Sequence, residues 1–171
     1  MKFLTHTLAD PFADCEALRR GRFGVIEVRN GRLAAIHLRA WPKIGSALEV
    51  EWLGQRVHRA RPGDRCLVYY NQPRRFPNFL ALKYVVSQRD CTLATFHRAL
   101  EVLDEVARVK RTDALLCDVW NARISDRLLA RWGWEPHKPA RWHRNHVKRF
   151  YGVYPPERRE IRAASAATAE C

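Results

Sequence analysis

The residues best suited to chemistry gather in the last third of the chain. Cys117 and Asp118 are followed by His137, His143 and His146, a set that would hold a metal ion if its spacing allowed. The spacing argues against it. His143 and His146 are three apart, which puts them on opposite faces of an extended strand, and no Cys or His pair repeats at zinc-ligand intervals. A solvated basic edge is the simpler reading, and no metal is expected. The cysteines (Cys15, Cys66, Cys91, Cys117 and Cys171) are scattered, odd in number and free of any C-x-x-C pair, as reduced thiols would be. No G-x-S-x-G, H-E-x-x-H or glycine-rich nucleotide loop occurs. Tyr84 and His97 carry groups that can move a proton, but nothing in the sequence selects either, and the catalytic residues are left unassigned.

A second constellation pairs aromatic with basic side chains. Trp120, Trp132, Trp134 and Trp142 are interleaved with Arg123, Arg127, Arg131, Arg141, Arg144, Lys148 and Arg149. Two readings stand. The tryptophans anchor a core or its rim, or some of them stack on the bases of a single strand whose phosphates meet the arginines. The net charge of +13 suits an anionic partner. However, 25 of the 31 basic residues are Arg and they run through the whole sequence. A general use of Arg on solvated faces would give the same total.

The elements that must position these groups follow from periodicity. Thr92–Lys110 reads as a helix capped by Thr92, with Leu93, Phe96, Leu100, Leu103 and Ala107 forming an apolar stripe and Glu101, Asp104, Glu105 and Arg108 mostly outside it. Ile124, Leu128, Leu129 and Trp132 recur at helical spacing in a second, short helix that Gly133 ends; Asn121 is expected to cap the turn into it, and Trp134 to begin an extended segment. Phe23–Arg29 and Arg32–Arg39 are strands joined by Asn30-Gly31, a two-residue hairpin signal. Further strands are expected at Lys2–His6, at Ala47–Trp52 with strict alternation, at Cys66–Tyr70, Phe79–Ser87 and Ala114–Trp120, and from Trp142 to Tyr151. Asp14–Arg20 reads as a weak helix, and Arg61-Pro-Gly-Asp64 as a turn.

At 171 residues and 47% hydrophobic content, the chain can bury a substantial core. One α/β domain over residues 1–154, with a mixed central sheet and flanking helices, is expected, followed by a frayed tail over 155–171. No 18-residue apolar run could span a membrane, and the opening MKFLTHTLADPF lacks the features of a secretory signal. A cytoplasmic location without membrane association is the expectation.

From Phe79 onwards the order is strand, long helix, buried strand, short helix ending in Gly-aromatic, then two strands. This order resembles the second half of the acyl-CoA N-acyltransferase (GNAT) superfamily fold, and 79–152 is the most family-like part. Asn121, Gly133 and Trp134 look like that family's Asn after the buried strand and its Gly-aromatic helix end. Arg89-Asp90-Cys91-Thr92-Leu93-Ala94 is similar to the family's pyrophosphate loop, with Arg89 and Ala94 at its ends and Thr92 where the family has its central glycine. Leu129 stands where many members have a Tyr that protonates the leaving thiolate. The resemblance implies acetyl-CoA or another acyl-CoA as co-substrate, contacts to it from Arg89, Thr92, Ala94 and Asn121, and acyl transfer to an amine, or a chain that keeps the fold without the catalysis. The reading from a different class is a basic, non-catalytic nucleic-acid-binding protein.

Overall fold

The computed structural model describes residues 5–8, 13–40, 63–119, 124–138 and 144–156. The strand expected at 47–52, the turn at Asn121 and most of the tail lie outside these residues, whereas the family-like Gly133 and Trp134 are described.

Local chemistry accounts for most element boundaries. Thr5–Leu8 forms β1, which overlaps the expected Lys2–His6, runs two residues past it and pairs with the far end of β3; residues 2–4 lie outside the described residues. Asp14 caps α1 (Cys15–Arg20) by accepting from the Ala17 N–H at 3.0 Å. Strands β2 (Phe23–Arg29) and β3 (Arg32–Arg39) meet at a two-residue turn in which Asn30 and Gly31 have φ of 49° and 73°. Both values belong to the hairpin turn that Asn-Gly favours, because glycine takes positive φ without a Cβ clash. Strands β4 (Arg65–Asn71) and β5 (Phe79–Ser87) form a second antiparallel pair. Helix α2 (Leu93–Lys110) starts at Thr92, whose hydroxyl accepts from the Thr95 N–H, and ends at Arg111 in the left-handed region. After β6 (Ala114–Asp118) comes α3 (Asp126–Arg131). Its cap is Ser125, which accepts from the Leu128 N–H at 3.2 Å, so Ile124 precedes the helix; Asn121, expected to cap the turn before it, lies outside the described residues. Gly133, at φ 80°, turns the chain into β7 (Glu135–Pro136), which pairs with β8 (Asn145–Arg149).

The eight strands form one mixed sheet in the order β1-β3-β2-β4-β5-β6-β8-β7. Every neighbouring pair is antiparallel except β5 and β6, which run parallel because α2 carries the chain across between them. The α/β class with a mixed central sheet and flanking helices is therefore the one observed.

One face of the sheet carries the main core. Ile26, Val28, Ile36, Val68 and Tyr70 pack with Ala99, Val102, Leu103 and Val106 of α2, and Leu129 and Trp134 join the same cluster. Each large aliphatic side chain removed from water contributes about 1.5–3 kcal/mol. Two expectations for α2 need correction. Leu93 is exposed, because the helix begins at the rim of the sheet. Asp104 and Glu105 are buried with cationic partners: Lys148 of β8 meets Asp104 at 2.6 Å, and Arg108, one turn further along α2, meets Glu105. The second sheet face also holds buried residues, among them Val25, Glu27, Ala35 and Val86. Among the described residues no helix is long and apolar enough to cross a membrane.

Candidate functional site

The parallel pair opens part-way along its length. Pairing between β5 and β6 runs from Phe79↔Ala114 to Leu82↔Cys117 and stops there, while β5 continues to Ser87. Over that second half, β5 stays paired with β4, through Tyr84↔Tyr69 to Ser87↔Cys66. The register shifts where the pairing with β6 is lost: Tyr69 faces Tyr84 and Tyr70 faces Leu82, so Lys83 is an extra, bulged residue. A bulge twists its strand and re-aims the backbone. Among the described residues β5 thus runs on past the carboxyl end of β6, the end at which open α/β sheets hold ligands. Among the described residues, no strand pairs with the β6 side of β5 beyond Leu82.

The loop from Gln88 to Thr92 leads from this edge into α2, and its anion site is filled by the chain itself. The Asp64 carboxylate accepts from the Thr92 backbone N–H at 2.8 Å, from the Thr92 hydroxyl at 3.1 Å and from the Thr95 hydroxyl at 2.6 Å. Thr95 is fully buried, and its hydroxyl oxygen also accepts from the Gly31 N–H at 2.8 Å. The Asp64 carbonyl in turn accepts from the Asn30 N–H. Slight burial would raise the Asp64 pKa, but the hydrogen bonds from Thr95 and Thr92 outweigh it and hold the carboxyl below its ordinary value. Asp64 thus stands where an exogenous phosphate would sit, at the positive end of the longest helix.

The remaining expected site residues divide. Arg89 and Ala94 are exposed on either side of Thr92, close to that terminus, whereas Asn121 is outside the described residues. Tyr84 and His97 are not brought together. Tyr84 stacks on Tyr69 at 4.2 Å on the sheet face away from α2, since the alternating Val68 and Tyr70 belong to the core beneath α2. His97 lies on α2 against Trp132, 4.7 Å between centroids, with Glu101 at 3.7 Å.

The basic edge expected around His143 and His146 is not an edge. Strand β8 lies between β6 and β7, and His146 is buried with its Nδ1 2.9 Å from the Arg144 carbonyl and its Nε2 3.4 Å from Asp126. Several cations of the expected Trp–Arg surface are likewise engaged internally: Arg144 by Asp126 and the Ile124 carbonyl, Lys148 by Asp104, Arg149 by Glu135. Trp134 is buried. Among the described residues no three His, Cys, Asp or Glu side chains form a metal-holding group.

Sequence reasoning missed Glu27. This carboxylate is 5% exposed on β2, with Oε1 accepting from Arg29 at 2.5 Å and Arg65 at 2.8 Å, and Oε2 3.2 Å from His37 Nε2. Burial would raise its pKa, yet the hydrogen bonds from His37, Arg29 and Arg65 bring it below the ordinary value. The signal in the sequence was a lone Glu in an otherwise apolar strand.

No family model and no curated protein matches the chain. One solved structure, a nourseothricin acetyltransferase, is similar at 13% identity and a TM-score of 0.40, over 87% of this chain and 99% of that one. A likeness of that size assigns neither fold nor activity.

Proposed function

We propose that the chain is an N-acyltransferase that draws its acyl group from a thioester donor of the acyl-CoA kind. The observation that carries this reading is the opening of β5 from β6 at Leu82, with the bulge at Lys83 beside it. A strand edge that has lost its neighbour accepts an extended partner through main-chain hydrogen bonds, and the two amides of a pantetheine arm supply groups of the right kind. Backbone N–H groups at the same edge are suited to polarising a thioester carbonyl as an amine attacks it. The N–C bond forms, the C–S bond breaks, and the thiolate leaves. None of the described side chains is assigned to the proton transfers.

Asp64 shapes how the donor is held. With its carboxylate on Thr92 and Thr95, the helix terminus offers a diphosphate like-charge repulsion in place of a free site. Among the described residues Arg89, exposed in the loop, is a cation placed to meet a phosphate there. The pantetheine arm therefore supplies most of the affinity. Calorimetric titration with acetyl-CoA and with S-acetylpantetheine tests this: saturable one-to-one binding of both, within about ten-fold, or about 1.4 kcal/mol, is expected. Absence of binding by either overturns the reading.

A further inference from the structure

Topology gathers charge that the sequence disperses. The end of the sheet opposite the β5–β6 opening collects the residue before β2, the β4–β5 loop, the last residues of α2 and the exit from β8. Hydrogen bonds tie these segments together. Gln72 N–H donates to the Arg22 carbonyl at 2.7 Å, and the Lys110 ammonium donates to Gln72 at 3.2 Å and to the Gly21 carbonyl at 2.6 Å. Asn78 donates to the Asp113 carboxylate at 2.9 Å, and the Asp113 carbonyl accepts from the Phe150 and Tyr151 N–H groups.

Arg22, Arg74, Arg75 and Arg111 are exposed at this end, with no ion pair or hydrogen bond to their side chains among the described residues. Two carboxylates nearby are paired with other cations, Glu16 with Arg20 and Glu135 with Arg149, while Asp113 keeps its charge beside the neutral Asn78 amide, one negative charge against four arginines. Neutralising the carboxyl end of α2 does not require these four arginines, since Arg108 and Lys110 already stand in its last turn. Burial chiefly, and the neighbouring Arg22 charge next, lower the Lys110 pKa to about 8.

The same end carries three of the four large apolar side chains left exposed among the described residues: Phe76 at 59%, Tyr151 at 72% and Val153 at 80%. Phe76 follows directly on Arg74 and Arg75, and Tyr151 shares the Asp113 carbonyl that joins β8 to the start of β6. Unpaired cations alternating with exposed rings fit a chain of phosphates whose bases are free to stack. A duplex offers the phosphates but keeps its bases stacked inside, and an acidic peptide offers charge without rings.

We infer that Arg22, Arg74, Arg75 and Arg111, with Phe76 and Tyr151, form a docking face for single-stranded nucleic acid, separate from the β5–β6 opening at the other end of the sheet. Four phosphate contacts on a single strand give a slope of about −3 in log affinity against log salt, or about fifty-fold lost between 50 and 200 mM. The test is fluorescence anisotropy of the full chain with a labelled twenty-nucleotide oligothymidylate. A duplex of equal length and polyglutamate serve as competitors. R74A/R75A and Phe76→Ala should each weaken binding about ten-fold or more. R127A/R131A removes the same charge from the exposed face of α3 and should leave affinity within about three-fold. All these side chains are exposed, so the variants are expected to fold, and circular dichroism checks this. No binding of the strand, equal competition by polyglutamate or the duplex, equal losses in the two arginine pairs, or full affinity in Phe76→Ala would overturn the inference.

Discussion

The Asp64 carboxylate lies 2.8 Å from the Thr92 backbone N–H and 2.6 Å from the Thr95 hydroxyl, so the positive end of α2 is closed by an anion from the turn before β4. That contact joins three segments far apart in sequence: the β2–β3 turn, the turn before β4 and the first turn of α2. It also sets the terms on which any phosphate approaches.

Replacing Asp64 with Ala removes the acceptor from one backbone N–H and two hydroxyls. A loss of about 1–2 kcal/mol in unfolding free energy, read by urea denaturation at pH 7, is expected. Because the folded pKa lies below the ordinary value, this stabilisation is present above about pH 4 and fades as the pH falls further. In the same variant, acetyl-CoA should bind more tightly than to the parent chain. Unchanged stability would show that the carboxylate does not cap the helix.

Asp104 should titrate near pH 6. Burial pushes its carboxyl up, and the Lys148 ammonium at 2.6 Å only partly reverses the effect. Carbon-detected NMR reads this directly, and Lys148→Met should move the midpoint higher. Since the folded carboxyl holds its proton to higher pH than the unfolded one, its contribution to stability is present below about pH 4 and is lost as the pH rises through 6. A midpoint near 4 would contradict the burial seen here.

Gly24 has no room for a methyl group. A Cβ there would fall 2.5 Å from the Tyr70 ring and hydroxyl, and Tyr70 is fully buried. Gly24→Ala is expected to cost about 1–3 kcal/mol through overpacking; a shift under about 0.5 kcal/mol would mean that β2 and β4 sit further apart than described.

Cys91 should react first among the described cysteines that carry shifted thiols. The neighbouring Cys66 thiol holds the Cys91 pKa below its ordinary value, against the opposing effect of partial burial. The Cys66 thiol is pushed up by that same partnership and by burial, and burial raises Cys117 to about 12. Mass-spectrometric mapping of iodoacetamide adducts at pH 7.5 should find Cys91 modified before Cys66 and Cys117, and more slowly in Cys66→Ala. Equal rates in parent and variant would remove the thiol contact from the account.

What the sequence disclosed was what local rules govern. The cap at Thr92, the span of β5 and the Asn30-Gly31 turn follow from neighbouring residues alone. What it hid depends on residues meeting across the fold. Asp64 looked like part of a turn because its partners Thr92 and Thr95 lie 28 and 31 positions away. Asp104 and Glu105 fell outside the apolar stripe, yet β8 and Arg108 gave them partners and the fold buried them. The short helix takes Ser125 as its cap because that hydroxyl stands one residue before the first turn. Arg22, Arg74, Arg75 and Arg111 seemed unrelated because their meeting at one end is a property of strand order. Of the residues expected to hold the donor, Arg89, Thr92 and Ala94 fall together beside the β5 edge, but Thr92 is already bonded to Asp64.

The opening between β5 and β6 is the centre of the account, and an amide-resolved NMR titration with acetyl-CoA tests it most directly. The largest shifts are expected at the N–H groups of Lys83–Ser87 and at Cys117 and Asp118, with little change around Arg22, Arg74 and Phe76. A spectrum that does not move, or one that moves only at the arginine-rich end, would contradict it.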